Sequence, residues 1–140
     1  MTNIIRLLIF NVTILFLISN TAKTDSQIWT KVIQGKNGYD FYVDIKTITD
    51  NSNIIFFWQL INYNKKDEYG DMSAKIYIKG NCKNLQFKWL KLAYHKLLMA
   101  KDKVQAKKPS DIVKGWQVAV PGSTSYAVIN YACNNKSILL

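Results

Sequence analysis

Beyond an apolar N-terminal run, hydrophobic and polar residues mostly alternate with a period of two, the pattern of strands with one buried face. Ile28 to Gln34 reads as a short mixed strand, closed by the turn residues Gly35, Asn37 and Gly38. In the following YDFYVDI, Phe41, Val43 and Ile45 alternate with Asp40, Tyr42 and Asp44, which predicts a half-buried strand. Asp44 is placed to cap a short helical turn at Lys46 and Thr47. Asp50 and Asn51 to Asn53 make a turn, and Ile54 to Tyr63 is apolar on both faces until its end, as a central strand is.

Asn64 to Asp71 reads as a hairpin connection with Gly70 free to take a positive φ. Ser73 to Lys79 alternates again, with Ala74, Ile76 and Ile78 on one side and Lys75, Tyr77 and Lys79 on the other. Gln86 to His95 has helical spacing at Phe87, Leu90 and Tyr94, but its aromatic content and its strand neighbours favour a strand. The polar stretch Lys96 to Lys114 reads as a long irregular connection, and Trp116 to Val120 as a short strand ending at Pro121. Ser123 then caps a helix over Ser125 to Asn134, in which Tyr126, Ile129 and Cys133 share a stripe. The sum is an α+β chain: an antiparallel sheet of about five to six strands with a C-terminal helix packed on it.

The 140 residues suffice for one domain and carry no linker or repeat that marks a second. Residues 1–22 read as an export signal, with Arg6 before the short apolar run Leu7 to Ser19 and small or polar residues at Thr21 and Ala22. An uncleaved anchor is the competing reading, but the run is shorter than the roughly 20 apolar residues a spanning helix needs. Residues 23–140 then form the single exported domain, in the periplasm, secreted or at the cell surface. In such an oxidising compartment Cys82 and Cys133 are expected to pair. That bond closes a loop of about fifty residues, worth about 4 kcal/mol on the chain-entropy model.

Charge changes the picture next. The whole chain carries +10, and the stretch from Lys75 to Lys114 alone holds eleven Lys against Asp102 and Asp111. Such asymmetry points to an anionic partner, whether polysaccharide, lipid headgroup, nucleic acid or acidic protein. The candidate polyanion-binding residues are Lys75, Lys79, Lys83, Lys88, Lys91 and Lys96, with Trp89 as a stacking ring between its flanking lysines. The same lysines also fit a merely solvated surface, since Lys lacks the planar fork of Arg. Trp89 also fits a core position.

The residues of an enzyme are missing from the pattern. Asp40 and Asp44 share a strand face about 13 Å apart, beyond the about 5 to 9.5 Å of a glycosidase pair. His95 is the only imidazole, so no nucleophile–base pair can be assembled. Asp67, Glu68 and Asp71 lack the spacing of a calcium loop, and no Gly-rich phosphate loop occurs. No catalytic residue, cofactor site or metal site is assigned.

The order Trp29, Tyr39 to Asp44, Thr47-Ile48, Trp58 with Asn62-Tyr63, Ser73, Lys75, Cys82, Tyr94, Trp116, Pro121 to Ser123 and Cys133 resembles the surface-adhesin protein E family of small exported bacterial domains. The resemblance spans Trp29 to Cys133 and implies an antiparallel sheet with a packed helix, a Cys82–Cys133 bridge and dimerisation. The family takes its name from a lipoprotein that binds host proteins; here no cysteine follows the leader to carry a lipid. Two functional readings result. One is a non-enzymatic exported binding module that contacts an anionic, host or envelope partner through its Lys-rich segment. The other is a structural or assembly component of the envelope acting as a homodimer. Neither involves specific nucleic-acid recognition, and membrane contact is confined to the leader or to anionic lipid.

Overall fold

A computed structural model describes residues 27–110 and 115–136, so the leader lies outside the described residues. The strands are β1 (Trp29–Gln34), β2 (Asp40–Asp44), β3 (Thr49–Asn51), β4 (Ile54–Asn62), β5 (Ser73–Asn81), β6 (Gln86–His95) and β7 (Gln117–Val118), followed by the helix α1 (Thr124–Asn134). They form one antiparallel sheet in the order β1-β2-β4-β5-β6-β7, with β3 also paired to β4. Six of the seven match the strands read from the sequence. The short β3 was expected to be part of a turn; instead it pairs Thr49 with Phe56 and Asn51 with Ile54 around a hairpin whose Ser52 and Asn53 have positive φ. Side chains contribute little to β3, whose residues are all exposed, so its pairing with β4 left no apolar signal.

One face of the sheet builds the core. Val43, Ile55, Phe57, Ile76 and Ile78 are at most 1% exposed and pack with Val128, Ile129 and Ala132 of α1. The helix starts where Ser123 Oγ accepts the Tyr126 N–H at 3.1 Å, and it crosses β1, β2 and β4. It approaches the sheet closely at Gly80: a Cβ there would lie 2.9 Å from Ile55 and 3.7 Å from Ile129. Cys82, just past the end of β5, is bonded to Cys133 near the end of α1, which fastens helix to sheet.

Asp44 is a buried acid whose Oδ2 has no hydrogen-bond partner among the described residues. It is fully buried, and its Oδ1 accepts the N–H groups of Ile28 and Lys46 at 3.1 and 3.2 Å, capping the turn Ile45–Thr47 and tying down the entry to β1.

The connection after β6 is less irregular than its polarity suggested. Asp102 accepts the N–H groups of Lys96 and Leu97, a 3-10 turn runs over Leu98–Ala100, and Lys107 exchanges two 2.8 Å backbone hydrogen bonds with Leu92. Backbone pairing and a side-chain cap hold the segment, and neither depends on apolar periodicity. Residues 111–114 of this connection lie outside the described residues.

Candidate functional site

The sheet face turned away from α1 carries the chemistry. Pairing across β4, β5 and β6 brings Phe56, Trp58 and Tyr77 together with Lys75, Lys79, Lys88 and Lys91. Trp58 and Tyr77 have ring centroids 5.0 Å apart, and Phe56 and Tyr77 lie 6.3 Å apart. Each lysine rests on this aromatic bed: Lys75 Nζ is 4.5 Å from the Trp58 ring, Lys79 5.5 Å from Phe56, and Lys91 5.9 Å from Tyr77. At the β7 side, Trp116 receives Lys79 and Lys88 at 5.9 and 5.3 Å. The ammonium groups themselves lie over the ring faces, an arrangement that favours the cation and holds it in position.

A β-bulge makes this arrangement. Tyr77 pairs with Lys91 and Ile78 with Trp89, so Leu90 is the extra residue in β6. Lys88 and Lys91, three apart, would face opposite sides of a regular strand. The bulge turns both to the outer face and leaves Trp89 alone on the inner one, packed against the core. Trp89 therefore does not stack beside the lysines that flank it. The outer-face rings are Phe56, Trp58, Tyr77 and Trp116, which reading along single strands did not assemble.

The remaining candidates scatter. Lys83 is exposed in the turn between β5 and β6. Lys96 lies at the opposite end, 2.8 Å from Asp71 and bonded to the Tyr69 carbonyl.

Charge compensation divides the outer face in two. On the β1–β2 side, Lys31 meets Asp40 at 2.7 Å; that hydrogen bond holds the Asp40 carboxyl below its usual range and raises the Lys31 ammonium. On the β5–β6 side, Lys75, Lys79, Lys88 and Lys91 have no carboxylate within ion-pair distance among the described residues. Lys79 and Lys88 sit directly opposite each other in the ladder, an arrangement of like charges that opposes pairing. Burial lowers the pKa of Lys75, partly offset by the field of Asp44, and its Nζ donates to Gln27 Oε1 at 2.9 Å.

Two other places could hold a ligand or a reaction. A cavity of about 490 Å³ lies between β6 and the segment after it, lined by Trp89, Leu92, Val104, Lys107 and Pro109. His95 is 3% exposed, its Nδ1 3.3 Å from Asp102 Oδ1 without the alignment of a hydrogen bond. Ser73 lies opposite His95 in the β5–β6 ladder, but its hydroxyl donates to the Leu97 carbonyl at 2.7 Å and accepts the Ala100 N–H at 3.1 Å. Among the described residues no three His, Cys, Asp or Glu side chains gather as metal ligands. No helix among the described residues is long and apolar enough to cross a membrane.

Residues 29–134 match the family model described as Surface-adhesin protein E. The fold is that of two solved structures of Haemophilus influenzae protein E. Crystal form II of that protein is 19% identical over 84% of this chain and 97% of the other, with a TM-score of 0.58. The protein from non-typeable Haemophilus influenzae is 16% identical over 84% of this chain and 83% of the other, with a TM-score of 0.54. No curated protein matches the sequence.

Proposed function

Because the chain belongs to the surface-adhesin protein E family, we propose that it is an exported, non-catalytic binding module whose outer sheet face engages anionic partners. The family carries the coarser part of that statement, a surface adhesin exported from the cell and acting by binding. One observation carries the finer part: four lysines on aromatic supports, two of them cross-strand neighbours, with no carboxylate beside them among the described residues. A surface meant only for solubility gains nothing from such crowding, because mixed charges hydrate as well and repel less. An anion laid across β5 and β6 relieves the repulsion of Lys79 and Lys88 and meets ammonium groups already held in position.

Retention on immobilised heparin, a soluble polyanion without apolar surface, tests this. The purified exported protein is expected to bind and to elute with a steep dependence on salt. Reversing two charges in Lys79→Glu/Lys88→Glu is expected to cut affinity at least about tenfold with the fold intact. Absence of retention, or retention indifferent to salt and to these two residues, overturns the proposal. A tight dimer by light scattering that ignores heparin would support the envelope-assembly reading instead.

A further inference from the structure

Beside the lysines, the β7 edge of the sheet shows an apolar row. Trp116, Val118 and Val120 are 44%, 60% and 59% exposed, while Ala119 between them is buried and donates its N–H to the Leu85 carbonyl. Gln86 pairs with Val118 and Phe87 with Gln117, so alternation continues through residues 116–120 and directs the three apolar side chains outward. Large apolar residues on an exposed edge are usually avoided, because they invite association. Here the row adjoins Lys79 and Lys88, whose ammonium groups approach the Trp116 ring, and Lys83 is exposed in the neighbouring β5–β6 turn.

We propose that this edge docks on an anionic lipid bilayer, with Lys79, Lys83 and Lys88 on the headgroups and Trp116, Val118 and Val120 entering the interface. The inference rests on the anion-binding reading above and names one partner for it. A second copy of the chain is the poorer occupant, since an edge-to-edge pair would bring the two lysine clusters toward each other without countercharge. A soluble polyanion satisfies the lysines and leaves the valines in water. A lipid surface supplies both complements: negative potential at the headgroups and an apolar layer directly beneath, with Trp favoured at the boundary.

The test is sedimentation of the protein with vesicles of phosphatidylcholine alone and of phosphatidylcholine with about one part in three phosphatidylglycerol. Binding is expected only to the anionic vesicles, and Trp116→Phe should remove quenching by lipids brominated near the headgroup. Val118→Ser/Val120→Ser is expected to lower vesicle partitioning about tenfold while leaving heparin retention unchanged. Lys79→Glu/Lys88→Glu is expected to cut both at least about tenfold. Equal binding to neutral vesicles, or partitioning unaltered by the valine pair, overturns the lipid assignment and leaves the polyanion reading standing. If the unmodified protein binds anionic vesicles but is not retained on heparin, the polyanion reading is overturned instead; if the lysine pair loses heparin retention but not vesicle binding, the lipid assignment fails. If the valine pair abolishes a concentration-dependent dimer and not vesicle binding, the edge is a self-association surface and the proposal fails.

Discussion

The two faces of the same strands were built under different demands. On the inner face of β5, Ala74, Ile76 and Ile78 disappear beneath neighbouring strands and α1. On the outer face of the same strand, Lys75, Tyr77 and Lys79 lie half-buried in a layer of rings and aliphatic stems. The inner face contributes stability by removing apolar area from water, whatever the detailed identity of each aliphatic group. The outer face brings like charges together and desolvates one of them, which opposes folding. A protein that keeps such a face gives up some stability there.

The sharpest way to break the comparison is to damage the inner face alone. Phe57→Ala leaves a cavity at a fully buried ring, and a loss of about 3 to 5 kcal/mol is expected in urea unfolding. Heparin retention per folded molecule should be unchanged; a matching loss would show that the two faces are not separable. Next comes the bond that holds α1 across the inner face. Replacing Cys82 and Cys133 together by Ser opens a bridge between residues 51 apart, at an expected cost of about 4 kcal/mol by the same assay. The outer-face lysines should again keep their relative affinities, since β4, β5 and β6 pair without help from the bridge.

The smallest effect sharpens the comparison most. Lys75→Met keeps the stem on Trp58 and removes the half-buried charge, so thermal stability at neutral pH should hold or rise while heparin affinity falls. The pH dependence has a definite sign. Burial sets the Lys75 pKa below its ordinary 10.5, so between the two values the unfolded chain binds the extra proton and stability rises with pH. Wild type should therefore gain on Lys75→Met as pH climbs through that window. If the melting difference between the two is flat with pH, the charge is not desolvated.

Much of this architecture was written in local pattern. Alternation, an apolar run and aromatic content marked six strands, Ser123 and Asp44 were legible as caps, and the two cysteines announced a pair once export was inferred. Each of these signals is a relation between residues a few positions apart, or a count, and so survives without a structure. The density of lysine from residue 75 onward was equally plain.

Tertiary structure alone decided which lysines lie together. The bulge at Leu90 turned Lys88 and Lys91 to one side and sent Trp89 to the other, against the expectation from their adjacency. Strand order then set Trp58 and Phe56 of β4 under lysines of β5, and carried Trp116 from the chain's far end to Lys79 and Lys88. The physical reason is that alternation assigns a side chain to one of two faces but contains neither register nor neighbour. Those come from backbone pairing between segments distant in sequence, where one extra residue reverses every assignment beyond it.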